Sequence, residues 1–202
     1  MTRRLAHVEL EGELVTLVPL DLSHAERAFE FLHGNESILR WLVWDGPESL
    51  HDLEEFYCRW VRPSENGDNY HFALLERASG DFMGCIGPRF AGHPETGDVG
   101  YWLAPAYAGK GYMQEALRLV DHLAFRHLGV RVMTAFVFVG NQASRRVLEK
   151  NGYELIHVAK DQVMKRGQPV DEWYFALARH DFERLHVGWL PRREVIGFER
   201  EV

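Results

Sequence analysis

The stretch that most constrains this chain runs from Val99 to Ala116. A short apolar strand, Val99 to Leu103, passes through a Pro-containing turn into Gly109-Lys110-Gly111 and directly into a long helical pattern. Glycines at a helix start let the backbone approach a ligand closely, and the first-turn N–H groups, which lack helical partners, point outward with the positive end of the helix dipole. Such a strand, glycine loop and helix start form an anion site, most naturally for phosphate. A lone Gly-x-Gly is more often a plain turn. The loop is neither Gly-x-x-x-x-Gly-Lys-Ser/Thr nor Gly-x-Gly-x-x-Gly, which excludes a triphosphate P-loop and a dinucleotide fingerprint.

A second motif lies downstream: Asn141-x-Ala-Ser-x-Arg-Val-Leu-Glu-Lys-x-Gly-Tyr153. Together with Gly100-Tyr-Trp-Leu-x-Pro-x-Tyr-x-Gly-Lys-Gly-Tyr-Met-x-Glu-Ala116, it resembles the GNAT acetyltransferase superfamily, and within it the Rim-type branch. The resemblance covers about half the chain in motif detail and nearly all of it in element order. It implies an α/β (α+β) fold: a central mixed, mostly antiparallel sheet of about seven strands, flanked by about four helices, with the fourth and fifth strands splayed.

Composition agrees with one soluble domain. A chain of 202 residues with 46% hydrophobic content can bury about 70% of its unfolded surface and needs no staples. No apolar run follows Met1-Thr-Arg-Arg-Leu-Ala6, and nowhere are there 18 consecutive apolar residues. The expected location is cytoplasmic, with no membrane partner. Cys58 and Cys85 stand far apart in patterns that read as a helix and a strand, so both are expected as buried thiols. The eleven His show no His-x-x-x-His spacing, and no metal is expected. A net charge of −7 argues against nucleic acid and favours a cationic acceptor such as an amine.

In chain order, Glu13 to Leu20 reads as the first strand, after a short N-terminal arm. Ser23 to Glu26 has capping-box spacing before helix one, and Ser49 caps a second helix that Pro63 stops. Tyr70 to Glu76 and Asp81 to Phe90 read as paired strands. The helix from Met113 repeats its apolar residues as far as Leu128 and ends at Gly129. Arg131 to Val139 reads as a strand buried on both faces. Asn141 caps a short helix, and Tyr153 to Lys160 and Val170 to Arg179 give the last strands. Residues 1–180 are expected to form the acyltransferase domain. Residues 181–202, rich in Phe, Leu, Trp and Ile, are too apolar to stay solvated, and are expected to pack on the domain or on a partner subunit, a homodimer being preferred.

The resemblance implies acetyl-CoA as cosubstrate. Its pyrophosphate would sit on Ala108, Gly109, Lys110, Gly111, Tyr112 and Met113; relatives usually carry Gln or Arg where this chain has Ala108. The pantetheine arm would pair with Trp102 and Leu103, where a bulge separates the strands. A backbone N–H near Leu103 would polarise the thioester carbonyl, a contribution of several kcal/mol. Asn141 would reach the arm from the other side, a role compatible with plain capping.

Transfer requires a neutral amine. An α-amine with pKa near 8 is about 10% neutral at pH 7, whereas lysine is only about 0.04% neutral, so weak base machinery suits an α-amine. Asp98, where relatives commonly have Glu, is the candidate base; its alternative is a turn-terminating Asp. The family's acid, a Tyr seven residues after the capping Asn, is replaced by Leu148. Ser144, where Rim-type relatives also have Ser, could donate to the leaving sulfur, hold the pantetheine, or simply cap. Trp41 and Trp44 are candidates for the acceptor pocket, and Tyr57 reads as core. The expected activity is acyl-CoA-dependent N-acyl transfer to a peptide α-amine or small amine by direct attack in a ternary complex. The competing reading is a catalytically idle CoA-binding sensor or assembly module, which turnover on a broad amine panel discriminates.

Overall fold

The computed structural model describes residues 5–61, 69–90 and 95–198. The expected helix stop at Pro63, the loop Ser64 to Asp68, part of the turn before Gly97 and the last four residues of the tail lie outside these. The described residues form one nine-stranded sheet and six α-helices. The strands are β1 (Leu5–Glu11), β2 (Val15–Pro19), β3 (Phe72–Glu76), β4 (Phe82–Arg89), β5 (Thr96–Leu103), β6 (Val132–Phe138), β7 (Glu154–Lys165), β8 (Gln168–Ala178) and β9 (Arg193–Phe198). Their spatial order is β7-β8-β6-β5-β4-β3-β2-β1-β9. The helices are α1 (Ala25–Leu32), α2 (Glu36–Leu39), α3 (Leu50–Val61), α4 (Tyr112–His122), α5 (Gln142–Lys150) and α6 (Arg179–Leu185).

Strand alternation sends residues to two cores. Phe72 and Leu74 of β3 and Met83 and Ile86 of β4 join the core under α4, whereas Ala73, Phe82 and Cys85 join the one under α1 to α3. The apolar stripe of α4 that was legible in the sequence, Ala116, Leu117, Val120 and Leu123, is fully buried. Glu115 fixes this helix against the β1–β2 hairpin: its carboxylate accepts the N–H groups of Glu13, Leu14 and Val15 at 2.9, 2.7 and 3.0 Å. A carboxylate in a first turn also suits the helix dipole.

Seven strands were expected; the two additional ones are β1, from the N-terminal arm, and β9, from the tail. They pair antiparallel along Leu5–Glu11 and Arg193–Phe198 and extend the sheet at one edge. The helix after Tyr112 does not run uniformly to Leu128. It changes at Leu123–His127 into a π turn, in which Leu128 N–H reaches back to Leu123. The start of helix one also differs: Asp21, not Ser23, is the capping residue, and it caps a 3₁₀ turn, Leu22–His24, that leads into α1, with His24 completing the box. Ser49 and Asp52 cap α3 reciprocally as the pattern requires. Cys85 is buried, with its thiol pushed up to about 12 by desolvation, but Cys58 is exposed because it lies on the outer side of α3.

All neighbouring strands are antiparallel except β5 and β6. These two register only over Thr96–Asp98 with Val132–Thr134. Beyond that point β5 stays with β4 to Leu103 while β6 continues to Phe138, so the two strands part as expected. The expected bulge is not the cause, since β5 pairs with β4 without a register shift. Gly84 permits the close approach: a Cβ there would meet the Trp102 carbonyl oxygen at 2.2 Å.

Candidate active site

The parting of β5 and β6 opens a cavity of about 670 Å³. Its walls are Val99 to Leu103 of β5, Ala135 to Phe138 of β6, Ala108, Gly109, Tyr112 and Met113 of the glycine loop, Asn141, Ser144 and Val147 of α5, and Arg40 to Trp44 before α3. Past Asp98, β5 has no partner on its β6 side. A strand paired on one side only leaves every second N–H and C=O of its other edge free, and these face the cavity.

The glycine loop has the conformation that its sequence suggested. Gly111, at φ +89°, is the N-cap of α4, a backbone state that L side chains rarely adopt. Its side-chain-free position leaves the first-turn N–H groups of α4 approachable. Ala108, Gly109, Tyr112 and Met113 reach the cavity wall; Lys110 and Gly111 do not. The Lys110 ammonium instead stands 5.8 Å from the Tyr107 ring centroid, at the exposed outer side of the loop.

Asn141 and Ser144 are brought together as the spacing implied. Asn141 Oδ1 accepts the Ser144 N–H at 3.2 Å, capping α5, while both residues line the cavity. The Ser144 hydroxyl lies 2.8 Å from the Tyr101 hydroxyl. Burial pushes the Tyr101 phenol well above its ordinary value, so it stays protonated and able to donate. Tyr101 belongs to the quoted motif, but a tyrosine on an apolar strand gives no sign that its hydroxyl will meet a serine 43 residues later.

Trp41 and Trp44 line the opposite part of the cavity. Trp44 stacks on Phe56 at 4.6 Å between centroids. Its carbonyl accepts from Lys165 at 2.9 Å, and Arg166 pairs with Glu36 at 2.7 Å. The tip of the β7–β8 hairpin thus pins this wall in place, a role that the turn Lys165–Pro169 did not reveal. Tyr57 is core, with its hydroxyl 3.7 Å from Cys85 Sγ.

Asp98 is placed differently from the expectation. It is not on the cavity wall. Both its oxygens accept from Arg89, at 2.8 Å each, because the register sets Arg89 directly across from it. A carboxylate held bidentately by a guanidinium has both oxygens turned to that partner and not to a substrate. Among the described residues the one carboxylate on the wall is Glu172 of β8. Glu172 is 6% exposed, burial alone raises its pKa above the ordinary value, and its carboxylate makes no hydrogen bond or ion pair among the described residues. The other charged side chains on the wall are cationic: Arg40, Arg89, Arg146 and Lys150. Strand alternation places Glu172 opposite the buried Trp173, Phe175 and Leu177, a pattern that reads as solvent-facing until the cavity is seen.

Residues 15–154 match the family of the acetyltransferase (GNAT) domain. YjcK of Bacillus subtilis, named as a probable N-acetyltransferase, is 27% identical over 180 residues, which span 87% of this chain and 99% of YjcK. YdaF of the same organism, named as a putative ribosomal N-acetyltransferase, is 27% identical over 176 residues, 85% of this chain and 95% of YdaF. The solved structure of RimL, a ribosomal-protein α-N-acetyltransferase in complex with coenzyme A, superposes with a TM-score of 0.73 over 83% of this chain and 95% of RimL at 21% identity. The chain belongs to the GNAT acetyltransferase family and is an N-acetyltransferase, with the relatives that the Rim-type resemblance implied. Among the described residues no helix is long and apolar enough to cross a membrane.

Proposed function

We propose that this protein transfers an acetyl group from acetyl-CoA to a primary amine, a protein α-amine or a small cationic amine, by direct attack in a ternary complex. The observation that carries the reading is the single cavity that joins the glycine loop, the free edge of β5, the Tyr101–Ser144 hydroxyl pair and Glu172.

Each part has a chemical task. The N–H groups at the start of α4 receive the pyrophosphate, assisted by Arg146 and Lys150 of α5. The free backbone groups of Leu103 align the pantetheine arm, since the register engages those of Trp102 with β4, and the Leu103 N–H polarises the thioester carbonyl. Glu172 takes a proton from the incoming ammonium, and its raised pKa brings it closer to the working pH than an ordinary carboxylate. The neutral nitrogen then forms the C–N bond, the C–S bond breaks, and the proton that the nitrogen sheds as it becomes an amide passes to the departing sulfur through the Ser144 hydroxyl, which is backed by Tyr101 and ends protonated as it began. Trp41 and Trp44 hold the apolar part of the acceptor. Asp98 orders β4 and β5 through Arg89 and supports the site from outside it. The ribosomal N-acetyltransferases among the relatives favour a peptide α-amine, as does its larger neutral fraction at pH 7.

Incubation with acetyl-CoA and a library of peptides and small amines, read by mass spectrometry, tests the reading. The expected product is a mono-acetylated amine with release of free CoA. Gly111→Val should abolish CoA binding, because a β-branched side chain at φ +89° cannot keep the loop. Tight CoA binding with no transfer to any amine would return the protein to the class of idle CoA-binding modules.

A further inference from the structure

We propose that His122, His127 and Glu194 form a site for a borderline divalent metal ion, of the Zn²⁺ class, that clasps the tail strand β9 to helix α4. The site lies away from the cavity and shares no residue with it.

His122 and His127 are five residues apart, which on an α-helix puts them about 140° apart around the axis. The π turn at Leu123–His127 widens the helix and returns the second ring to the side of the first. Their ring centroids are 5.4 Å apart. Glu194 arrives from β9, and its Oε2 lies 3.0 Å from Nε2 of His122 and 3.1 Å from Nε2 of His127. All three donor atoms fall within 4.8 Å of one another.

One His would suffice to tether Glu194 by a hydrogen bond. Here two imidazole nitrogens of the same kind converge on one carboxylate oxygen, a donor set suited to Zn²⁺, Co²⁺ or Ni²⁺ and poorly suited to Mg²⁺. A tetrahedral ion with bonds of about 2.0–2.1 Å keeps its donors about 3.3 Å apart. Glu194 already stands near that distance from both nitrogens. Only the nitrogen-to-nitrogen gap must narrow, by about 1.5 Å at most, a swing open to the partly exposed His127 ring. His122, 4% exposed at its side chain, is the fixed ligand; His127 and Glu194, at 26% and 38%, leave a path for entry. Binding requires each Nε2 to present its lone pair, so the ring proton moves to Nδ1, and the fourth position stays open to water.

Untagged protein, stripped with EDTA and dialysed, is titrated with Zn²⁺ and with Co²⁺ by calorimetry, and melted with and without Zn²⁺, with Mg²⁺ as control. The expected result is one Zn²⁺ per chain, a Tm rise of about 5–10 °C at a hundredfold excess over Kd, and visible d–d absorption from Co²⁺. His127→Ala and Glu194→Gln should each weaken binding roughly tenfold or more and remove the Tm rise. Zn²⁺ without effect on the wild type, or binding unchanged in either folded variant, overturns the proposal and leaves a hydrogen-bonded contact. Because the readouts need no substrate, they stand whatever the acceptor proves to be.

Discussion

Glu115 and Glu172 are both carboxylates on elements that frame the cavity, and their environments are opposite. Glu115 sits in the first turn of α4, where three backbone N–H groups of the β1–β2 hairpin point at it. Glu172 sits on β8, out of bulk water, and its carboxylate has no hydrogen-bond or ion-pair partner among the described residues. A satisfied carboxylate holds a fold together, whereas a desolvated and unpaired one costs stability and is kept where chemistry uses it. The glutamate inside the glycine-loop motif is therefore the architectural one, and the glutamate outside both motifs is the base of the proposed mechanism.

The largest effect that can break this comparison is on turnover. Glu172→Gln should lower kcat/KM for the amine by about 100-fold or more at pH 7, leave CoA affinity unchanged and recover part of the loss at pH 9, where an α-amine is already neutral. Stability should move the other way. A carboxyl whose pKa is raised by folding contributes stability below its unfolded value that is lost as pH rises through the folded value. The Gln variant should accordingly melt no lower than wild type at pH 8. Unchanged turnover at every pH would return the base role to another group.

Glu115→Ala should do the converse. Loss of a charged acceptor serving three N–H groups is expected to cost about 2–3 kcal/mol, read as a fall in the denaturant midpoint, with kcat per folded molecule little altered. Gln114 offers no substitute, since it faces the cavity.

Ser144→Ala sharpens the role of the hydroxyl pair. It should lower kcat about tenfold without raising the KM for acetyl-CoA, because the N–H that Asn141 caps is retained. A rise in KM alone would make Ser144 a pantetheine contact. The smallest effect belongs to Asp98→Asn, which loosens a partly exposed pair with Arg89 and should cost under about 1 kcal/mol with a turnover loss well below that of Glu172→Gln. An equal loss would put Asp98 back in the chemistry.

Near the cavity a second buried carboxyl extends the comparison. Asp121 is fully buried, accepts from the Tyr153 hydroxyl at 2.6 Å and is raised to about 8, chiefly by desolvation. Its other oxygen has no hydrogen-bond partner. Tyr153 closes the second motif, so here a motif residue meets a partner that the motif does not name.

The elements that the sequence by itself determined are those whose cause is local. The turn conformation of Gly111, the apolar stripe of α4, the capping of α5 by Asn141 and the continuous apolar run of β6 follow from backbone sterics and from periodicity, which neighbours along the chain settle among themselves. Two motifs in that order were enough to name the fold. Tertiary structure alone decided which polar groups meet. The register of β4 on β5 set Arg89 against Asp98 and removed it from the cavity wall; the parting of β5 from β6 turned Glu172 from an ordinary strand residue into a lining carboxylate. One π turn gathered His122 and His127, and pairing of the two chain ends carried Glu194 to them. Such contacts depend on registers and crossings between segments tens of residues apart, where a shift of one residue sends a side chain to the other face, and no local pattern encodes that choice.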